Sequence, residues 1–207
     1  RLKEESPGLS ILIIEKGKSS SGGLRNDCKM NFTYPVGFPL DVWDRESADR
    51  YLTQVEEHLK PDIMHKHNLG VYAKRAEKLA VSLLDIRQAH LGTDGGIRLI
   101  KRLSTELKEK GVDFSFGEEM VDIDSSGSKV LTNKRSVGCK QLFLAPGRSG
   151  FRFLQKMMEK LDISYMDHIV DIGIRVETTE DRYSIVRDYY DPKFIFPEKV
   201  RTFCTNS

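Results

Sequence analysis

Two kinds of apolar pattern recur along the chain, and each predicts a different element. The run Leu9–Ile14 is interrupted only by Ser10, and it has the length and β-branched character of a strand buried on both faces of a parallel sheet. Strict alternation of apolar and polar residues predicts further strands at 112–116 and 170–176. Between these, turn residues around 125–128 and 133–134 predict an antiparallel meander over Val121–Gln141. A short apolar run, Leu142–Ala145, predicts one more buried strand.

Helical spacing accounts for most of the remaining apolar residues. One stripe recurs at steps of four, three and four after a capping Asp44, and Pro61 is expected to end that helix. Another helix is expected after His90, with Thr93 or Asp94 as its cap. The apolar stripes of the four predicted helices are Ala48, Leu52, Val55 and Leu59; Tyr72, Ala76, Leu79 and Leu83; Ile100, Leu103 and Leu107; and Leu154, Met158 and Leu161.

Composition narrows the functional class only a little. The chain has 207 residues, of which 39% are hydrophobic and 31% charged, and 33 basic against 31 acidic residues give a net charge of +2. A nearly neutral chain without a long apolar run favours neither nucleic-acid binding nor membrane insertion. Three widely spaced cysteines match neither a disulfide framework nor a paired zinc site, so reduced thiols in a cytoplasmic protein are expected.

Few residues of the sequence are candidates for a catalytic or binding role. Glu15 follows the first buried strand, where a carboxylate can accept hydrogen bonds from both hydroxyls of a ribose; the simpler interpretation is a solvated strand end. The loop Gly22–Asn31 can present backbone N–H groups and a cation to an anion, although an ordinary surface loop has the same composition. His65 and His67 fit a polar connector better than a metal site. His90 is the best titratable candidate, but a structural role is favoured.

The order of these elements, together with several short motifs, resembles the two-domain FAD-dependent oxidoreductases of the glutathione-reductase type. Within them the chain looks most like uncharacterised FAD-dependent dehydrogenases, and the resemblance spans nearly its whole length. The motifs that carry it are Gly22-Gly23, Asp27-Cys28-Lys29 with Asn31, His90–Asp94, Ala145–Gly150, Asp171–Glu177, Asp191-Pro192-Lys193 and Arg201–Cys204. Cys28 departs from the family pattern, which tends to have glycine there.

The resemblance implies an α/β fold: a partial FAD-binding, Rossmann-like parallel sheet with a β-meander, interleaved with a second α+β substrate lobe. The FAD-binding domain would comprise residues 1–35 and 88–165, and the substrate lobe residues 36–87 and 166–207. Leu9–Gly17, Val112–Gly117 and Leu142–Ala145 would share one sheet. Glu15 would bind the adenosine ribose. The other implied cofactor-binding residues are Lys16, Gly23, Arg25, Asn26, Lys29, Val121, Ala145, Gly147 and Arg148.

The implied function is electron transfer between an unknown small-molecule substrate and FAD, and NAD(P) is compatible as the electron donor. No catalytic residue and no metal is assigned. The alternatives are a flavin-dependent tRNA-modifying protein and a non-catalytic nucleotide- or partner-binding domain of the same fold. The Gly-rich diphosphate fingerprint and the part that completes the flavin pocket are expected outside this sequence. An uncovered apolar edge would then favour poor FAD retention and self-association.

Overall fold

The computed structural model describes residues 1–19, 29–36, 38, 40–166, 170, 172–198 and 200–205. It separates into two compact units. The first comprises Arg1–Cys28 and Leu91–Asp171, and the second Lys29–His90 and Ile172–Ser207. The chain thus passes between units three times, after residues 28, 90 and 171, where the sequence pattern placed the passages after residues 35, 87 and 165.

The described residues form a mixed α/β structure of short elements. In chain order, the helices and strands are α1 (Leu2–Glu5), β1 (Ile11–Glu15), β2 (Lys29–Asn31), α2 (Arg45–Leu59), α3 (Leu69–Glu77), β3 (Ser82–Leu83), β4 (Gln88–His90), α4 (Gly92–Glu109), β5 (Val112–Phe116), β6 (Met120–Ile123), β7 (Lys129–Thr132), β8 (Ser136–Gly138), α5 (Phe151–Lys160) and β9 (Phe194–Ile195). Two short 3₁₀ turns lie at Arg148–Gly150 and Ser184–Arg187.

A parallel pair of strands organises the first unit. β1 and β5 run side by side, with Ile11 opposite Val112 and Glu15 opposite Phe116, as the sequence predicts for these two segments. The connection through α4 is of the kind that parallel strands require, and Leu99 of that helix is buried. The expectation that β1 is buried on both faces is wrong. Leu12 is 36% exposed, because this sheet has two strands in the described part of the chain.

The predicted meander is confirmed. β6, β7 and β8 form a three-stranded antiparallel sheet in that order, and Ile123 and Val130 fill its buried face. An Asx-type turn closes the first hairpin, where the Asp124 carboxylate accepts hydrogen bonds from the backbone N–H groups of Ser128 and Lys129 at 2.9 and 3.0 Å. Local turn chemistry therefore fixes the connection between β6 and β7.

Two predicted strands do not form. Leu142–Ala145 has no regular secondary structure, and its apolar side chains alternate between half-buried and exposed. The described residues of the segment 170–176 also lie outside any strand, and Ile172 is 95% exposed. In both cases the apolar pattern is present, but no neighbouring strand among the described residues supplies the backbone hydrogen bonds that define a sheet.

The helices follow the predicted stripes with three corrections. α2 is capped as expected, with the Ser47 N–H donating to Asp44 Oδ1 at 2.8 Å. α4, in contrast, begins at Gly92 without a side-chain cap, and neither predicted cap residue is used. α3 ends before Leu79, which is 76% exposed. In α5 the fully buried residue is Met157, one position before the Met158 of the predicted stripe.

In its described residues, the second unit contains two α-helices and two antiparallel strand pairs. β2 pairs with β4, and β3 pairs with β9. Its buried hydrophobic residues are Phe32, Ala48, Ala76, Val81, Ile86, Ala89, Ile185 and Tyr189. No helix in the described ranges combines the length and the apolar character needed to cross a membrane.

Candidate functional site

Glu15 lies at the carboxyl end of β1, the position from which the ribose-binding prediction was made. Its carboxylate is half-buried, and Oε1 accepts a hydrogen bond from the N–H of Gly17 at 2.7 Å. The chain then stays close to the end of β5, where the Gly117 N–H donates to Gly17 O at 3.0 Å and the Glu118 N–H to Glu15 O at 3.2 Å. These backbone hydrogen bonds fix the end of β1. One oxygen of the Glu15 carboxylate is already used by the hydrogen bond from Gly17.

Two further predicted residues of the first unit are accessible. Lys16 is 60% exposed, and its Nζ lies 3.9 Å from Glu119 Oε1. Val121 is on β6 and is 45% exposed. Neither has a burial or a charge environment that would distinguish it from an ordinary surface residue, so their assigned roles stay predictions.

The predicted turn Ala145–Arg148 is exposed and contains a backbone conformation suited to glycine. Gly147 has φ +69°, and a Cβ placed on it would meet nothing within 4 Å. Arg148 begins the short 3₁₀ turn that leads into α5. Among the described residues, no hydrogen bond or ion pair joins this turn to Glu15.

The remaining predicted cofactor-binding residues either lie outside the described residues or belong to the second unit. Gly23, Arg25 and Asn26 lie outside the described residues. Lys29 belongs to the second unit, on β2, and its side chain is only 11% exposed. Its ammonium donates to Thr205 O at 2.5 Å and lies 4.0 Å from Asp191 Oδ2. Lys29 therefore takes part in an internal polar network, and its predicted place beside a flavin is untested.

That network, here named the Asp191 cluster, consists of Lys29, Lys66, Gln88, Asp191 and Lys193. Asp191 is its centre and is 2% exposed. The carboxylate accepts from Lys193 Nζ at 2.9 Å, from Gln88 Nε2 at 3.1 Å and from the Thr205 N–H at 2.7 Å. These donors come from separate parts of the second unit. A buried carboxylate with this many donors has its desolvation cost offset by charged and neutral hydrogen bonds.

Lys66 extends the cluster on the other side of Gln88. Its ammonium donates to Gln88 Oε1 at 2.8 Å and to the carbonyl of Ile86, and it lies 4.2 Å from the centroid of the Tyr189 ring. Burial lowers the pKa of Lys66 to about 8, although Asp85 and Asp191 act in the opposite direction. Burial likewise raises the pKa of Tyr189 to about 12, and its hydroxyl donates to Leu84 O.

An aromatic pair borders the cluster. The rings of His90 and Tyr190 are stacked at a centroid distance of 5.3 Å and an interplanar angle of 17°. Lys29 Nζ lies 5.3 Å from the centroid of Tyr190, which is a cation–π distance. His90 is exposed at the end of β4, and the stack therefore presents one polar ring to solvent.

The chemistry available to the cluster follows from its charges. Three lysines surround one central carboxylate, so the group attracts anions more readily than cations. With its pKa near 8, about a tenth of Lys66 is the neutral amine at pH 7, and a neutral amine can act as a base or a nucleophile. In the described ranges no group of three or more His, Cys, Asp or Glu side chains is arranged to hold a metal ion.

The sequence motifs indicate only part of this cluster, and for other reasons. Lys29, His90, Asp191 and Lys193 belong to motifs that carried the family resemblance, but only Lys29 was assigned a binding role. Lys66 sits between the two histidines that drew attention to the connector, and Gln88 had no signal of its own. The joint presence of the motifs at 29, 90 and 191–193 is the sequence feature that could have indicated a contact between these residues.

Comparisons with models of protein families, with curated proteins and with solved structures find no match to this chain. The functional assignment therefore rests on the sequence motifs and on the geometry of the two units.

Proposed function

We propose that this chain is part of an FAD-dependent oxidoreductase, in which the first unit is a Rossmann-like cofactor-binding domain that binds the adenosine end of FAD. The observation that carries the proposal is the location of Glu15 at the carboxyl end of a strand paired in parallel with β5. In open α/β sheets, ligands bind beyond the carboxyl ends of the strands, and an acidic residue there accepts hydrogen bonds from a ribose.

The succession of elements after Glu15 supports the same function. A long insertion, α4, the parallel strand β5 and an antiparallel meander follow in the order that the resemblance to the glutathione-reductase type implies. Val121, on the first strand of that meander, is accessible to an adenine ring, and the exposed turn at Gly147 leaves room for a close backbone approach. FAD would supply the electron transfer, and the protein would bind and orient it.

We propose that the Asp191 cluster forms the polar part of the substrate lobe. Its three lysines and the neighbouring His90 favour an anionic substrate group, which agrees with the predicted place of Lys29 on the flavin side. NAD(P) is compatible with this proposal as the electron donor. The tRNA-modifying alternative is less well supported, because RNA binding usually needs a basic surface and the net charge of this chain is only +2.

The proposal is tested by calorimetric titration of the intact protein with FAD and with its 2′-deoxyadenosine analogue. We expect Glu15→Ala to weaken FAD binding by about 10- to 100-fold, the loss of a hydrogen bond to a charged group. The analogue should lose a similar factor with the unchanged protein. Glu15→Ala should then bind FAD and the analogue equally, because the hydroxyl and its acceptor form one interaction.

Glu119→Ala is the matched control, since Glu119 is an exposed carboxylate in the same unit and lies near the end of β5. It should bind FAD like the unchanged protein. Equal affinity of Glu15→Ala and the unchanged protein for FAD, with the fold retained, would remove Glu15 from the site. FAD that binds through Glu15 and is reduced by dithionite, but not by NADH or NADPH, would favour the non-catalytic, nucleotide-binding alternative.

A further inference from the structure

A short segment of the second unit, residues 203–205, lies against the Asp191 cluster and is named here the strap. Its first carbonyl accepts a hydrogen bond from Lys193, and its last carbonyl, that of Thr205, accepts one from Lys29 at 2.5 Å. The N–H of Thr205 donates to Asp191 Oδ1 at 2.7 Å. The cluster therefore binds the strap through its peptide groups.

The side chains of the strap contribute little to its attachment. Phe203 is 67% exposed and Cys204 is also exposed, while Thr205 is half-buried and hydrogen-bonds to Tyr183. In the described ranges, no backbone–backbone hydrogen bond involves residues 203–205. The strap is thus attached by polar side chains of the cluster and of Tyr183, and burial of apolar surface adds little to its stability.

Thr202 lies where the strap leaves the strand β9. Its N–H donates to Phe194 O at 3.0 Å, and its hydroxyl accepts from the Phe194 N–H at 2.8 Å and donates to Pro192 O at 3.0 Å. These hydrogen bonds direct the strap towards the cluster. They involve no side chain of the cluster, so Thr202 can be changed without removing one of its charges.

The strap offers neutral acceptors to two charged groups. Lys29 and Lys193 are 11% and 14% exposed, and both lie within ion-pair distance of the same carboxylate, that of Asp191, at 4.0 and 2.9 Å. Burial of a charge is costly unless the charge is paired. An oxyanion would therefore be a better acceptor for these ammonium groups than a peptide carbonyl, because it would also compensate their charge.

We propose that the strap is an autoinhibitory element, and that an oxyanion that binds to Lys29 and Lys193 displaces it from the Asp191 cluster. The two carbonyls of the strap take the places of the carboxylate or phosphate oxygens of such a ligand. Gln88 and Lys193 keep Asp191 hydrogen-bonded when the strap leaves. This inference rests on the part of the proposed function that gives the cluster an anionic substrate group, and it does not depend on FAD binding at Glu15.

Competition between the strap and the ligand has two measurable consequences. The ligand binds to molecules in which the strap is displaced, so its apparent dissociation constant falls as the displaced fraction rises. Conversely, the ligand increases the displaced fraction, since the coupling between the two is reciprocal. A looser strap should therefore tighten anion binding, and anion binding should expose the N–H of Thr205.

Titration of the 207-residue chain with inorganic phosphate, at an ionic strength kept constant with sodium chloride, tests the proposal. Hydrogen exchange at the Thr205 amide, followed by NMR, should become at least about 10-fold faster as phosphate saturates the site. The amide of Tyr189, which donates to Ile185 O at 2.8 Å in the same unit, is the reference and should keep its rate. Chloride alone should change neither rate.

Thr202→Val loosens the strap without removing a lysine. It loses both hydrogen bonds of the hydroxyl, so exchange at Thr205 should be faster before any phosphate is added. Calorimetry should then show an affinity for phosphate increased about 3- to 10-fold. Thr53→Val is the matched control, because Thr53 is an exposed residue of α2 whose hydroxyl donates to Asp49 O at 2.9 Å. It should leave both quantities unchanged.

Phosphate that binds while exchange at Thr205 stays constant would overturn the strap and leave the anionic substrate group of the proposed function intact. An unchanged phosphate affinity in Thr202→Val would also overturn it. If neither protein bound phosphate, the anion site and the strap would both be refuted, whereas FAD affinity and its dependence on Glu15 would still test the cofactor site.

Discussion

Among the described residues, each unit contains one buried carboxylate, and the two differ in how far along the chain their partners lie. In the first unit, Glu118 is 1% exposed and accepts hydrogen bonds from Ser115, Thr132 and Arg135, none more than 17 residues away. In the second unit, Asp191 accepts from Gln88, 103 residues away, as well as from nearby groups. The first network is therefore a local brace between β5 and the meander, whereas the second exists only once distant segments have come together.

The difference has a consequence for both folding and function. A brace among near neighbours can form as soon as the hairpin does, since little chain has to be closed. The Asp191 cluster requires the second unit to be assembled, and it gathers the titratable side chains that the proposed substrate lobe would use. Loss of the central carboxylate should therefore affect stability and chemistry together in the second unit, whereas loss of Glu118 should affect only the stability of the first.

The largest effect is expected from Asp191→Ala. It leaves the ammonium groups of Lys29 and Lys193, which are 11% and 14% exposed, without their carboxylate. Removing one partner of a buried charge pair costs about 3–5 kcal/mol. Trp43, the single tryptophan of the chain, lies in the second unit, so urea unfolding followed by its fluorescence measures this change.

Asp181→Ala is the control for that measurement. Asp181 is 87% exposed and pairs with Arg187 at 2.6 Å, and an exposed pair contributes at most about 1 kcal/mol. A loss of stability no larger in Asp191→Ala than in Asp181→Ala would show that the cluster does not stabilise the second unit.

A smaller effect on stability, present at neutral pH and lost in acid, is expected from Glu118→Gln. Hydrogen bonds from Arg135, Ser115 and Thr132 lower its pKa to about 2, from 4.5 in the unfolded chain. Because the folded state holds the proton less tightly, the stabilisation is complete above about pH 4.5 and is lost as the pH falls towards 2. Glu118→Gln should therefore lower stability at neutral pH and flatten its decline in acid.

Chemical unfolding of the first unit, followed by hydrogen exchange in β5 and β7 at a series of pH values, measures that decline. Glu119→Gln replaces the adjacent exposed carboxylate, which is 55% exposed, and should keep the acid profile of the unchanged protein. An equally steep decline in Glu118→Gln would mean that other groups dominate acid unfolding.

Lys66 is expected to have the smallest effect on stability but a distinct reactivity towards acetylating reagents. Burial lowers its pKa to about 8 from 10.5, so competitive acetylation across pH should show the Lys66 peptide gaining reactivity near pH 8. Unfolding in urea should move that inflection back towards 10.5. An inflection that already lies near 10.5 in the folded protein would place Lys66 in water and would remove the neutral amine from the chemistry of the Asp191 cluster.

Several elements were determined by the sequence alone, because their signals are local. The apolar run at 11–14 and the alternation at 112–116 predicted the two strands that pair. Turn residues after Ile123 predicted the meander, and Asp44 at the head of an amphipathic stripe predicted the start of α2. In each case the side chains that decide the structure lie within a few residues of one another, so their spacing carries the information. The location of Glu15 at a strand end follows from the same spacing.

Only the tertiary structure determines which apolar segments pair with another strand and which polar residues contact each other. The patterns at 142–145 and 170–176 are as strand-like as those of β1 and β5, yet a strand forms only where another backbone accepts its hydrogen bonds. The Asp191 cluster joins Lys29, Lys66 and Gln88 to a carboxylate more than a hundred residues further along. No periodicity in the sequence encodes that meeting, because hydrogen-bond partners so far apart are chosen by packing of the whole unit and not by spacing.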